Sequence, residues 1–183
     1  MITTAFPLRI MAFCLLMSTV YLSGQTVDTE RSIVNFSISN MKVNTIKGSF
    51  IGLHGDLRFA PDSRDLAELD ICLEVTSLQT GNEQRDAHLL SPDFFDVEQY
   101  SRICYRANRI ERQADGSFLA HGILTIKGIQ KEVEIPIILE GLYLRAAFNI
   151  QRLDFAVGED YGSFTAGKEV KIDVQLYFHE GAD

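Results

Sequence analysis

The sequence is poor in the features that mark disulfide-stapled, nucleic-acid-binding or membrane-spanning proteins. It has three cysteines in 183 residues and no tryptophan. So few thiols do not make a disulfide scaffold, and the fold must therefore rest on an apolar core. Acidic residues outnumber basic ones, and the formal net charge of −8 repels polyanions, which argues against nucleic acid as a partner.

The one long apolar run has the features of a secretory signal peptide. Arg9 precedes an apolar core over residues 10–22, and small residues then lead to the polar Gln25. A core of about 13 residues is short of the ~20 that a transmembrane helix requires. We therefore expect a signal peptide at residues 1–24, one mature domain at residues 25–183 without a stable membrane span, and a periplasmic or secreted location.

Motifs that would indicate a metal, a cofactor or a nucleophilic enzyme are missing from the sequence. The four histidines have no close metal-ligand spacing, and neither Cys72 nor Cys104 stands two to four residues from another Cys or His. Neither a glycine-rich phosphate loop nor a nucleophile-elbow serine occurs. We expect no metal, no cofactor and no catalytic residue.

Apolar and polar residues alternate over most of the mature chain, which predicts half-buried β-strands. The pattern is clear where Val34, Phe36 and Ile38 alternate with polar residues. It recurs over residues 69–75, 118–126, 133–139, 146–150 and 170–178. Residues 47–59 predict one long bent strand or a tight hairpin, because glycines within strands mark bends and bulges.

Short turn-forming connections separate these runs, so neighbouring strands should be antiparallel. The exception is residues 80–99, where a capping box at Thr80 and a second helix start at Ser91 predict two short helical turns. Residues 157–168, rich in glycine and acid, predict a mobile loop. About eight strands fit either a closed barrel or a β-sandwich, and we predict an all-β, eight-stranded antiparallel barrel, a size whose interior can hold one small ligand.

The apolar positions that share one phase define the expected inner face of this barrel. They are Phe36, Ile38, Phe50, Ile71, Leu73, Ile103, Tyr105, Leu124, Ile126, Ile135, Phe148 and Leu176. An ordinary packed core would give the same pattern, because periodicity does not distinguish a filled barrel from a hollow one.

The densest set of reactive side chains lies in the helical interruption. Arg85, Asp86 and His88 stand shortly before Phe94 and Phe95. A histidine near carboxylates can act as a general base, but acid–base catalysis also needs a nucleophile or an oxyanion donor, and nothing nearby has that signature. We therefore favour a structural or ligand-rim role, in which Arg85 pairs with Asp86, His88 bonds the backbone and the two phenylalanines plug the barrel.

Cys72 and Cys104 lie on consecutive predicted strands, and both alternate with inward-facing neighbours, so both thiols should point outward. Sequential strands often pair, and the right antiparallel register would bring the two α-carbons within disulfide range. A shift of two residues would leave two free, exposed thiols instead. An oxidising compartment favours the disulfide, but the sequence leaves both outcomes open.

Several motifs occur in an order that resembles the YceI-like family. They are Ser32-Ile33-Val34-Asn35-Phe36, Lys47-Gly48-Ser49-Phe50-Ile51-Gly52, Ser77-Leu78-Gln79-Thr80-Gly81, Arg85-Asp86-Ala87-His88-Leu89, Asp93-Phe94-Phe95-Asp96-Val97, Gly122-Ile123-Leu124-Thr125-Ile126-Lys127-Gly128, Arg152-Leu153-Asp154-Phe155 and Val170-Lys171-Ile172-Asp173-Val174. The resemblance covers nearly all of the mature chain, with a departure at Ser101, where the family usually has proline.

The resemblance implies a lipocalin-like antiparallel barrel whose apolar tunnel binds a long-chain lipid, either a polyisoprenoid or an isoprenoid quinone, without catalysis. The twelve inner-face residues with Phe94 and Phe95 are then the expected ligand contacts, and Arg85, Asp86 and His88 should frame the tunnel. Two other functions fit the sequence. One is an enzyme that acts on a lipid head group with His88 as base, and the other is a ligand-free structural envelope protein with a packed barrel. No signal for an oligomeric state is present.

Overall fold

The fold is one sheet of antiparallel strands with a single α-helix among the residues that a computed structural model describes, which are 24–40, 44–59, 66–162 and 166–179. The strands are β1 Gly24–Thr26, β2 Ile33–Asn40, β3 Asn44–Ile51, β4 His54–Phe59, β5 Leu66–Glu74, β6 Arg102–Arg112, β7 Phe118–Ile126, β8 Ile129–Glu140, β9 Tyr143–Gln151 and β10 Ala166–Tyr177. The helix α1 is Glu83–Leu90, and short 3-10 helices lie at Val75–Ser77 and Arg152–Phe155. The expected signal peptide, apart from Gly24, lies outside the described residues.

The strands follow the order β1-β4-β5-β6-β7-β8-β9-β10-β2-β3 in a single sheet that curls as a half-barrel. The predicted all-β antiparallel class is therefore confirmed, and the sandwich alternative is wrong because the strands do not divide into two sheets. The expected count of eight strands is not confirmed, since ten are described. Residues 47–59 contribute to two strands, and β1, with three residues, is too short to show any periodicity.

The break between β3 and β4 is a corner, so both the bent strand and the hairpin predicted there are wrong. Gly52 lies in this break with φ of 74°, a left-handed conformation that favours glycine. Beyond it the chain changes partners, because β3 pairs with β2 whereas β4 pairs with β1 and β5. At the edge of the sheet, β3 is joined to the segment that precedes α1 by two backbone hydrogen bonds between Ser49 and Gln79.

The predicted helical interruption contains one helix rather than two. Its N-cap is Asn82, not Thr80, and the Asn82 side chain accepts a hydrogen bond from the Arg85 amide at 2.9 Å. The Thr80 hydroxyl is unavailable as a cap because it donates to the carboxylate of Asp86. Ser91 ends the helix instead of starting a second one, and non-helical turns follow over residues 91–99.

The two cysteines lie opposite each other on β5 and β6, and the structure joins them by a disulfide with α-carbons 4.1 Å apart. Cys72 is buried, at 8 % exposure, although its phase points away from the inner face. His54 and Cys104 face it on the two neighbouring strands, and Cys104 is half-buried, so neither cysteine is as exposed as predicted.

Several of the most deeply buried core residues lie at one end of the curled sheet. Leu57, Leu66, Ile137 and Leu176 are 0–2 % exposed there. At the opposite end, β5 leads through its 3-10 helix to α1, and β9 leads to the 3-10 helix at Arg152–Phe155. These connecting segments, rather than strands, form the rim of the sheet at that end.

Candidate functional site

The curled sheet surrounds an apolar cavity of about 380 Å³. A volume of this size falls within the range of roughly 300–1,000 Å³ that is typical of small-molecule sites. All twelve predicted inner-face residues line it, and so do Phe94 and Phe95. That these residues contact a ligand stays a prediction, but the alternation of the strands placed them on the correct face.

The exposure of the inner-face residues indicates that the interior is not uniformly packed. Six of the twelve are only half-buried although they face inward. These six are Phe36, Ile38, Ile71, Ile103, Tyr105 and Phe148. Side chains in a close-packed core are almost completely buried, so this pattern favours a hollow interior over the packed-barrel alternative.

Apart from tyrosine hydroxyls, the polar side chains on the cavity wall lie at one end. Among the described residues that line the cavity, these are Asn40, Arg85, His88 and Arg152. Asn40 ends β2 and pairs with Ala166 at the start of β10, and the arginines and the histidine belong to the rim segments described above. The cavity is therefore amphipathic along its length, apolar over most of it and polar at the rim.

Arg85 and Asp86 both bind Thr80 rather than each other, which corrects the predicted pairing. The Arg85 guanidinium donates from Nε to the Thr80 hydroxyl at 2.7 Å and from Nη2 to the Thr80 carbonyl at 2.8 Å. The carboxylate of Asp86 accepts from the Thr80 amide at 3.0 Å and from its hydroxyl. Of the two, only Arg85 reaches the cavity, and Asp86 braces the start of α1 from outside it.

His88 joins α1 to the segment that follows β9. Its Nε2 lies 2.8 Å from the Tyr161 hydroxyl and 3.3 Å from the Asp93 carboxylate, so its partners are side chains, not the backbone as predicted. The rings of Phe94 and Tyr161 pack at 4.7 Å, and that of His88 meets Phe94 edge-on at 5.1 Å. We call His88, Asp93, Phe94 and Tyr161 the aromatic clasp.

Arg152 is the most deeply buried charged group at the rim, with 4 % exposure. It donates to five backbone carbonyls. The acceptors are Val157, Gly158, Tyr161, Ala166 and Gly167, at 2.5 to 3.1 Å. An arginine has five N–H groups, so these contacts use all of them. Burial lowers the pKa of Arg152 from its ordinary value, because dehydration disfavours the charged form.

These contacts overturn the prediction of a mobile loop for the described part of residues 157–168. Val157 and Gly158 are buried, and the Gly158 backbone approaches the Phe94 ring so closely that a Cβ would lie 2.5 Å from it. Lys127 also links the segment after α1 to the segment after β9, since its ammonium donates to the carbonyls of Pro92 and Ala156. Sequence reasoning missed Arg152, Tyr161 and Lys127, although Arg152 and Lys127 fall within motifs that carry the family resemblance.

Tyrosine hydroxyls supply the remaining polar groups on the cavity wall. The Tyr105 hydroxyl lies within hydrogen-bonding distance of the carbonyls of Ala120 and Val133, at 2.9 and 3.1 Å. Burial raises the pKa of Tyr105 well above its ordinary value, and the pKa of Tyr161 is also raised by burial and by Asp93. Both hydroxyls therefore keep their protons at neutral pH and can donate hydrogen bonds.

Within the described ranges, no group of three metal-ligating side chains is placed to hold an ion. The histidine with two acidic neighbours is His121 on the outer face, 3.1 Å from Glu134 and 3.7 Å from Glu111. Across the same residues, no helix has the length and apolarity needed to cross a membrane.

Comparisons with known proteins agree with this architecture. A UPF0312 protein of Vibrio parahaemolyticus is 29 % identical over 166 residues, which covers 82 % of this chain and 83 % of the relative. A UPF0312 protein of Vibrio cholerae is 24 % identical over 161 residues, again covering 82 % and 83 %.

Two solved structures share the fold. BcnA of Burkholderia cenocepacia superposes with a TM-score of 0.72 at 22 % identity, covering 82 % of this chain and 98 % of BcnA. A polyisoprenoid binding domain from Saccharophagus degradans, implicated in plant cell wall breakdown, has a TM-score of 0.66 at 15 % identity and covers 88 % and 100 %. The model of the YceI-like domain matches residues 25–178, and the chain therefore belongs to the YceI-like family.

Proposed function

We propose that this protein binds the apolar chain of a lipid, a polyisoprenoid or an isoprenoid quinone, in the cavity of the curled sheet. The observation that carries the proposal is the half-buried inner face, because apolar side chains that face inward and yet remain accessible provide a surface for an apolar guest. The polyisoprenoid binding domain of Saccharophagus degradans, which shares the fold, supports this choice of ligand class.

Burial of an apolar chain supplies the driving force for such a complex. Each methylene contributes ~0.8 kcal/mol, so ten methylene equivalents give about 8 kcal/mol. Association itself costs about 4–15 kcal/mol, so ten equivalents roughly offset that cost, and a longer apolar chain is needed for micromolar affinity. Polar groups at the rim are left for selecting among lipids.

The place of action that we propose is the periplasm or the outside of the cell. The N-terminal sequence supports it, with a basic residue, a short apolar core and small residues in the order of a signal peptide. The disulfide between Cys72 and Cys104 agrees with an oxidising compartment.

Binding, rather than catalysis, is the function that the clasp favours. His88 is the general-base candidate, and the structure places it against Asp93 and Tyr161. These groups hold a histidine in place, and the four residues of the clasp include no Ser, Cys or Lys nucleophile.

The test is a pair of substitutions on adjacent residues of β9. Ala146 lines the cavity and is 5 % exposed, whereas Ala147 is exposed on the outer face. Ala146→Phe should fill part of the cavity and reduce the lipid that is recovered by organic extraction and mass spectrometry of the purified protein. Ala147→Phe should leave lipid recovery unchanged, and thermal unfolding verifies that both variants are folded.

A long apolar chain that co-purifies with the wild-type protein and is lost with Ala146→Phe supports binding. Wild-type protein that carries no lipid and takes up none from vesicles would refute it. Product formation from an added lipid that depends on His88 would instead support the enzyme alternative.

A further inference from the structure

Arg85 is a cation on the cavity wall whose hydrogen-bonding capacity is only partly used. Its side chain makes two hydrogen bonds, both to Thr80. A guanidinium has five N–H groups, so three of them have no protein acceptor within the described residues. Because Arg85 lines the cavity, these donors are accessible to a ligand held there.

Arg85 also forms no direct ion pair with a carboxylate among the described residues. The carboxylate of Asp86, the adjacent residue, accepts from the amide and hydroxyl of Thr80, so the Thr80 hydroxyl stands between it and the guanidinium. Asp93, the acidic residue of the aromatic clasp, contacts His88 and Tyr161. A half-buried arginine without an ion-pair partner, at the end of an apolar cavity, creates a site where an anion is favoured over a neutral group.

The helix brings further donors to the same place. Arg85, His88 and Leu89 are separated by three and four positions, so they share one face of α1, and all three line the cavity. The Tyr161 hydroxyl meets His88 at this face. An apolar chain that lies along the sheet would therefore end among a guanidinium, an imidazole and a phenol.

We propose that Arg85 binds an anionic head group, a phosphate or a carboxylate, on the lipid whose apolar chain occupies the cavity. The inference rests on the proposed lipid-binding function and adds the chemistry of the ligand's polar end. Guanidinium is suited to both anions because its planar N–H groups match two oxygens at once. His88 and Tyr161 are positioning residues that hold α1 against the segment after β9.

The experiment compares three ligands that share one alkyl chain, namely a fatty acid, a monoalkyl phosphate and the corresponding primary alcohol. Each is titrated by calorimetry into delipidated protein, below its micelle concentration and at a pH where the acid is ionised. We expect the anions to bind at least about 10-fold more tightly than the alcohol, the ratio that corresponds to ~1.4 kcal/mol. Tighter binding of the alkyl phosphate would indicate a phosphate head group, and tighter binding of the fatty acid would indicate a carboxylate.

The variant Arg85→Gln should abolish most of the preference for the anions, because the affinity for the two anions should fall much more than the affinity for the alcohol. Arg85→Lys, which keeps the charge, should retain part of the preference. The matched control is Arg106→Gln, because Arg106 pairs with Asp70 on the exposed outer face and should not affect any of the three affinities.

A second measurement does not depend on the stability of the variants. Added salt should weaken the wild-type affinity for both anions but not for the alcohol, since screening acts on the charged pair alone. Equal affinities for all three ligands in the wild-type protein would overturn the head-group inference while the proposed function stands. Failure of all three to bind would instead overturn the proposed function.

Discussion

Two arginines line the same cavity, and their surroundings are opposite. Arg152 is almost completely buried and donates to five backbone carbonyls. Arg85 is half-buried and donates from its side chain to one residue, Thr80. The same side chain thus serves as an internal crosslink in one place and as an available cation in the other, and the number of N–H groups already in use separates the two roles.

The two regions are connected through Tyr161. Its backbone carbonyl accepts a hydrogen bond from Arg152 at 2.6 Å, and its hydroxyl lies 2.8 Å from His88 on α1. The fully bonded arginine therefore fixes the partner against which the helix that carries Arg85 is placed. We therefore expect substitutions at Arg152 mainly to lower the stability of the fold, and substitutions near Arg85 mainly to lower the preference for anionic ligands.

The largest effect is expected from Arg152→Met. Removing the guanidinium leaves five buried or partly buried carbonyls without their donor, and each unsatisfied group costs about 1–3 kcal/mol. We expect the free energy of unfolding to fall by about 5 kcal/mol, which is roughly 10 °C or more in melting temperature for a domain of this size. Circular dichroism during heating measures the change.

Arg152→Lys is the informative companion, since an ammonium keeps the charge but supplies three donors from one atom. It should recover little of the lost stability. Arg106→Met on the outer face should change stability by less than about 0.5 kcal/mol. An Arg152→Met protein as stable as the wild type would contradict the role of this residue as an internal crosslink.

The second effect concerns the disulfide, which joins the strand before the helical segment to the strand after it. Cys72 and Cys104 are 32 residues apart, and closing a loop of that length in the unfolded chain is worth roughly 3–4 kcal/mol. Cys72→Ala with Cys104→Ala should lose about that amount in urea unfolding. The matched measurement is the same unfolding of the wild-type protein after reduction.

Amide hydrogen exchange then shows which part of the rim the disulfide stabilises. The disulfide closes the loop between β5 and β6 that contains α1, so its loss should accelerate exchange in α1 more than in residues 152–162. Equal acceleration in both segments would mean that the arginine crosslink and the disulfide stabilise one common unit.

The third effect comes from Thr80→Val, which keeps the shape of the side chain and removes the hydroxyl. Arg85 loses an acceptor and Asp86 loses a donor, and we expect a loss of about 1–2 kcal/mol in unfolding free energy. The preference for anionic ligands should decrease because the guanidinium is no longer held in one orientation. Thr76→Val, at an exposed position, is the control for both measurements.

The smallest effect at neutral pH, and a distinct one in alkali, is expected at Tyr161. Burial and the nearby Asp93 raise its pKa, so the folded protein retains this proton at a pH where the unfolded chain has lost it. Stability should therefore decline as pH rises above the ordinary tyrosine pKa of about 10. Tyr161→Phe should reduce the difference between urea unfolding at about pH 8 and at about pH 11.

Tyr105 and Tyr143 have raised pKa values as well, and therefore some alkaline loss should persist in the Tyr161→Phe protein. Tyr143→Phe supplies the comparison, because Tyr143 stacks on Tyr177, away from the clasp. The role of Tyr161 would be contradicted if Tyr143→Phe reduced the loss of stability between about pH 8 and about pH 11 and Tyr161→Phe did not.

The sequence predicts the walls of the cavity better than its rim. Strand alternation has a period of two, so Phe36, Leu124 and Ile135 could be assigned to the inner face from their neighbours alone. The corner at Gly52 was not predictable in the same way, because choosing a new partner strand is a long-range event. The three-residue β1 offers no period at all, and with the division of residues 47–59 into two strands it accounts for the two strands beyond the predicted eight.

The rim depends on contacts between segments that are distant in the chain. Arg152 and Tyr161 lie in turns without any periodic pattern, and nothing local shows that one donates to the carbonyl of the other. Arg85 and Asp86 are adjacent and oppositely charged, which suggested a pair, but Thr80 lies in reach of both and satisfies them separately. Opposite charge in sequence neighbours is weak evidence for contact on a short helix.

The neighbouring positions of β2 and β10 in the sheet have a consequence for the order of folding. Asn35 pairs with Asp173, so the second strand of the chain finds one of its partners in the last. Pairing over such a separation closes late and slows folding. Until β10 has been synthesised, β2 keeps an open edge and the apolar inner face stays exposed, the condition in which a chain is prone to aggregate.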